Sequence, residues 1–171
     1  MNRSFDVQLQ VALRALDEVV APALDGAEKH VAEQLHLAIA TLHFVKTRLP
    51  EARRYYRMEL RSYMSLAKDA ADLASPALPE RTAVLVSAIA TGQQVLDDPE
   101  ADLDAYQAAT SDLRDLITGL SDASTKTSHA TELDSLILDR SGAILSQCRQ
   151  WCAPFGFELK PEELPPPGWG A

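Results

Sequence analysis

DGAEKHVAEQLHLAIATLHFVKTRLPEARRYYRMELRSYMSLAKDAADLA, residues Asp25–Ala74, is the stretch that decides the fold class. It reads as two long helical segments hinged at Leu49-Pro50. In the first, Val31, Leu35, Ala38, Leu42, Val45 and Leu49 form one apolar stripe at helical spacing, and Leu37, Ala40 and Phe44 form a second on nearly the opposite side. A helix apolar on two faces is expected between neighbours rather than on the surface, which places Asp25–Leu49 at the centre of the fold. Asp25 suits the N-cap, and Glu28 the first turn, where a carboxylate complements the helix dipole. Pro50 fits the first turn of the following helix, or else kinks a continuous one. From Glu51 to Ala74 the inward positions read Tyr56, Leu60, Tyr63, Leu66, Ala67, Ala70, Leu73 and Ala74.

Working outward, Ser4 to about Ala21 carries Phe5, Leu9, Ala12, Leu16, Val19 and Val20 on one face, with Ser4 placed as N-cap, until Pro22 and Asp25-Gly26 break it. On the other side, Ser75–Pro79 ends the third segment. Glu80–Leu96 then buries Leu85, Ala88, Ile89, Gly92 and Leu96. A turn at Asp97–Glu100 leads into a segment ending near Leu120, with Tyr106, Ala109, Leu113, Ile117 and Leu120 in one stripe; the two make an antiparallel helical hairpin. Ser121–Ser128 is polar and reads as a mobile loop. The last segment, to about Cys152, directs Leu133, Leu136, Ile137, Ile144, Cys148 and Trp151 inward. Beyond Pro154 the composition turns proline-rich and favours extended backbone, with Phe155, Phe157, Leu159 and Trp169 to bring part of it back. The expectation is an all-α, single-domain up-and-down bundle of five or six helices over 1–153, with an extended tail, 154–171, partly packed on it.

Composition narrows the function classes. The chain has 171 residues, 46% hydrophobic, and a net charge of −9, with a pI near 4.8. Phosphate backbones and anionic membrane surfaces repel such a chain, so general nucleic-acid and membrane binding are not expected. No apolar run approaches the roughly 20 residues needed to span a bilayer, and the first residues lack the pattern of a signal peptide. Two cysteines one helical turn apart, Cys148 and Cys152, are no disulfide framework. They read as buried and point to a reducing cytoplasm.

Three constellations bear on chemistry. Glu33-x-x-His36 sets a carboxylate and an imidazole side by side on a helix. This spacing resembles the metal motif of ferritin-like di-iron proteins, in which two helices carry it and two others each add a glutamate. The resemblance implies metal ligation by Glu33, His36 and Glu59. It departs from that pattern in lacking a second motif, His129-x-x-Glu132 being reversed; the plain alternative is a surface ion pair.

Glu59 falls on an inward helical phase and needs a partner, because an unpaired buried carboxylate is costly. Arg140 or a tyrosine hydroxyl is expected to supply it, either as a satisfied pair or as part of a polar ligand pocket formed by Glu59, Tyr56, Tyr63, His36 and Arg140. Arg53, Arg57 and Arg61 make a stripe suited to carboxylates or phosphates. It is expected to meet a partner, an anion or the chain's own acids between Asp97 and Asp104. No phosphate loop, nucleophile elbow or catalytic pair stands out. The leading expectation is a non-enzymatic cytoplasmic protein without cofactor, acting through protein–protein contacts as a homodimer, with the proline-rich end as a second docking element. A small-ligand binder built around Glu59 and a ferritin-like metal protein are the alternatives.

Overall fold

A computed structural model describes residues 4–24, 26 and 28–170. Every extended element among them is helical, and none of those helices is long and apolar enough to cross a membrane. In chain order they are α1 (Phe5–Ala15), a π-helical turn (Leu16–Val20), α2 (Ala21–Ala23), α3 (Lys29–Arg48), a 3-10 turn (Leu49–Glu51), α4 (Ala52–Ala74), α5 (Pro79–Asp97), α6 (Leu103–Ser124) and α7 (Ala130–Cys152). Two short 3-10 turns, Ala153–Phe155 and Pro161–Glu163, follow. The chain divides into two compact units. The first takes residues up to Glu51 together with Arg149–Leu164, and the second takes Ala52–Cys148 together with the residues from Pro165 onward.

In the second unit, α4 packs on α5 and α6, which pack on each other. The reason is visible in α4, whose inward face narrows from Leu60 and Leu66 to Ala67, Ala70, Ala71 and Ala74, all buried. Small side chains let neighbouring helix axes approach closely, and dispersion contacts accumulate with each shared turn. Leu85 and Leu96 of α5 and Tyr106, Ala109, Leu113, Ile117 and Leu120 of α6 fill the opposing side, while α7 adds Leu133, with Leu136, Ile137 and Ile144 at its edge. Gly92 marks a close approach of α5 to α4, since a Cβ there would stand 3.1 Å from Met64 Sδ and 3.4 Å from Leu60 Cδ1. Asp102 caps α6 by accepting from Ala105 N–H at 2.8 Å, as short acids do at helix starts.

In the first unit, α1 and α3 run antiparallel: Lys46 pairs with Asp6 and with Gln10, and His43 stands 3.6 Å from Asp17. Leu13 and Ile39 are buried. The π turn sits directly before Pro22, and Ala21 N–H reaches back five residues to Leu16 O. A proline ring clashes with the carbonyl four residues earlier, and the wider turn accommodates it.

Several expectations are corrected. The segment Asp25–Leu49 is not central: α3 buries only Ile39, because its two stripes are not sandwiched, whereas in the second unit α4 buries eight residues. The cap assigned to Asp25 lies outside the described residues; Glu28 is the N-cap residue of α3. Of the residues read as a loop, 121–124 belong to α6. There Ser124 is buried and its hydroxyl donates to Ser121 O at 2.8 Å, a back-bond that lets serine sit within a helix. Cys152 is exposed and Cys148 half-buried. In the tail, Phe157 and Leu159 are exposed, whereas Trp169 is buried. The backbone through Leu49–Glu51 stays helical as a single 3-10 turn.

The core assignment has a direct check. Leu113 is fully buried and Leu138 is 73% exposed. Leu113→Ala is expected to cost about 3 kcal/mol in urea unfolding, and Leu138→Ala to stay within about 0.5 kcal/mol. Equal losses would displace the core from where it is described here.

Candidate functional site

The arginine stripe of α4 divides by partner. Arg53 Nη2 donates to Pro99 O at 2.5 Å. Arg57 Nη1 donates to the Tyr106 hydroxyl at 3.0 Å, and its guanidinium stands 5.7 Å from the centre of that ring. Arg53 reaches the segment expected to meet it, but through a carbonyl rather than a carboxylate, and Arg57 reaches a phenol just beyond that segment. Asp98 and Asp102 instead accept backbone N–H groups of Glu100 and Ala105. Both arginines therefore fasten α4 to its neighbours. Arg61, two turns further along, has no hydrogen bond or ion pair among the described residues and lines a cavity.

That cavity, of about 650 Å³, lies in the groove between α4 and α7. Met58, Arg61, Ser62 and Ser65 are spaced to share one face of α4, and Arg140, Ala143, Ile144 and Gln147 one face of α7. Pro165 and Gly168 of the proline-rich segment complete the wall. Gln147 holds that segment at two points, accepting Gly168 N–H at 2.7 Å and donating to Pro166 O at 3.3 Å. Trp169 anchors it, its ring edge-on to Tyr55 at 5.2 Å. A Cβ at position 168 would stand 3.1 Å from Gln147 Oε1, so glycine suits this wall.

The polar pocket expected around Glu59 is arranged differently. Glu59, Tyr56, Tyr63 and Arg140 all belong to the second unit, and His36 to the first, where it lines a surface hollow with Pro22, Leu24 and Leu35. Arg140 pairs with Asp69, not with Glu59. Glu59 has neither a hydrogen bond nor an ion pair among the described residues. Burial pushes its carboxyl above the usual range, and the Arg114 guanidinium opposes that rise. Arg114 also lies 5.7 Å from the centre of the Tyr63 ring. The Tyr63 phenol is pushed up chiefly by burial; Arg114 pulls it down, and Glu59 and Cys148 push it further up. Tyr56 meets the Tyr55 ring edge-on at 5.3 Å.

Glu33, the other residue of the metal expectation, pairs with Lys29 at 3.5 Å. No group of three histidine, cysteine or acidic side chains is placed to hold a metal ion among the described residues.

A buried site that the sequence reading passed over is Arg48, at the end of α3. Its Nε and Nη2 donate to Trp151 O and Gln150 O at 2.9 and 2.7 Å, its Nη1 donates to Glu51 at 2.8 Å, and it stands 5.2 Å from the Trp151 ring. The last carbonyls of a helix lack intrahelical donors, and Arg48 supplies two of them for α7. Phe44 stacks on Phe155 at 4.2 Å and meets Trp151 edge-on at 6.0 Å beside it.

Set against family models, characterised proteins and solved structures, the chain finds no match.

Two outcomes follow from this geometry. The raised Glu59 carboxyl favours the folded state while protonated, so its contribution is lost as pH rises through the folded-state value. Glu59→Gln is therefore expected to melt above the wild type at pH 7 and level with it below about pH 4, where both carry a neutral side chain. A gap that persists at low pH would assign the effect to packing. Arg48→Ala leaves two carbonyls without their donor in a largely water-free setting, the side chain being 12% exposed. It is expected to cost about 2 kcal/mol by chemical denaturation, and Arg48→Lys to recover only part of that.

Proposed function

We propose that this is a helical interaction protein of the cytoplasm whose first unit pairs with a second copy of the same chain. The observation that carries the reading is a pair of matching apolar stripes on α1 and α3 that stay partly open, with Leu9, Leu16, Leu35 and Leu42 half-buried. Along Phe5, Leu9, Ala12, Leu16 and Val19 the spacing alternates four and three residues, and along Val31, Leu35, Ala38, Leu42, Val45 and Leu49 it does so again. Alternating three- and four-residue spacing is the seam of a coiled coil, which aligns with a partner helix over its whole length.

Leu13 and Ile39, each directly after the alanine in its own stripe, are the buried residues of the two helices, and we place them in the contact between α1 and α3. Because the offset is the same in both and the helices are antiparallel, the two stripes lie on one side of the hairpin. Phe5, Val19, Val31, Val45 and Leu49 are 77, 66, 38, 37 and 43% exposed. A hairpin about 30 Å long, from the 20 residues of α3, and two helices wide offers an area of the order of the roughly 800 Å² per partner that stable complexes bury.

Four stripes make a four-helix bundle. Each copy supplies two, and two-fold symmetry brings the same face of a second copy to cover them without leaving an open end.

Sedimentation of the full chain is expected to give a dimer at micromolar concentration. Val31→Glu and Val45→Glu each place an unpaired charge in the seam and are expected to raise Kd about a hundredfold, with helical circular dichroism unchanged. A monomeric wild type at 100 times that concentration, or dimers indifferent to both substitutions, would remove the second copy as the occupant and leave the face to a different protein.

A further inference from the structure

The groove between α4 and α7 is not used by the pairing proposed above. We infer that it binds a small amphipathic anion, a single carboxylate or phosphate group on a short apolar chain, with the head held by Arg61 and Arg140. Four observations lead there.

Its volume, about 650 Å³, falls within the roughly 300–1,000 Å³ of pockets that enclose small molecules. Its lining separates by chemistry: Met58, Leu66 and Ile144 offer an apolar bed, while two guanidinium groups come from opposite walls. Arg61 meets no acceptor among the described residues. Arg140 meets Asp69 through one terminal nitrogen, leaving most of its five N–H donors for another acceptor. That pair is half-exposed, and such pairs contribute little that a better acceptor would have to overcome.

Ser65 stands one turn beyond Arg61 on the same wall, positioned to add a hydroxyl donor. Ser62 Oγ already donates to Met58 O at 3.0 Å, so Ser65 rather than Ser62 is the hydroxyl donor on this wall. Guanidinium forks take two oxygens of a carboxylate or phosphate at once, so a planar or tetrahedral anion fits this pair better than a chloride-like point charge.

Charge sets the size of the ligand. A chain of net charge −9 repels a polyanion at a distance but attracts one small anion where two arginines converge. No acid lines the groove among the described residues, and Asp69 beside it is already engaged by Arg140, which disfavours a cationic ligand. An apolar bed beside the charged wall disfavours a bare inorganic ion.

The test is calorimetric titration of the full chain with octyl phosphate, octanoate and the uncharged octan-1-ol. Both anions are expected to bind, and the alcohol at least about tenfold more weakly. Arg61→Ala and Arg140→Ala are each expected to weaken the anions about tenfold by the same reasoning. Ser65→Trp, at an exposed position on the wall, fills the groove and is expected to abolish binding while melting near the wild type.

Co-sedimentation with phosphatidylcholine vesicles, with and without phosphatidic acid, separates the two sources of such an anion. Capture by the acidic vesicles that is lost in both arginine variants assigns the head group to a lipid. Binding of the soluble anions alone assigns it to a free molecule. The inference is overturned if the alcohol binds as tightly as the anions, if both arginine variants bind unchanged, or if no soluble anion and no vesicle binds.

Discussion

The second unit depends on how closely its helices approach α4. Four alanines in about two turns, Ala67, Ala70, Ala71 and Ala74, make that half of the helix nearly smooth. Leucines of the facing helices belong to the same core. Such an arrangement is unforgiving of volume, because a methyl group added to the smooth face has nowhere to go. At the other end of α4 the side chains are long, and Arg53 and Arg57 reach a carbonyl and a phenol.

Much of this core was legible in the sequence because α5 and α6 each bury one stripe and expose the rest. Tyr106, Ala109, Leu113, Ile117 and Leu120 were assigned inward from spacing alone, and all five are buried. Spacing misled at α3 for a physical reason. An apolar stripe reports that a face needs covering, but not whether this chain covers it. Two stripes on α3 therefore suggested a central helix, where the structure leaves one of them largely open and covers part of the other with Phe155 and Trp151.

Polar pairing was harder to read than burial. Arg140 was expected to meet Glu59, yet it is exposed and engages Asp69, because a guanidinium at the end of a flexible chain can choose among acceptors that helical phase does not rank. Arg48 left no signal, since a cation in the last turn of a helix is ordinary; what makes it consequential is the end of α7, over a hundred residues away along the chain. The groove likewise joins residues of α4, α7 and the proline-rich segment, and no single stretch contains its pattern.

The way the chain shares residues between its units has a consequence for the order of folding. Helices α4, α5 and α6 are consecutive and joined by short turns, so they can associate through near-neighbour contacts. The first unit takes residues 149–164, and the bond from Arg48 to Trp151 closes a loop of 103 residues. The second unit then takes back the residues from Pro165. Closure entropy for such loops is incurred before the contacts reward it. The alanine-faced core is thus the natural early structure, and the hairpin's attachment at Arg48 and the wall of the groove at Pro165–Trp169 are late events.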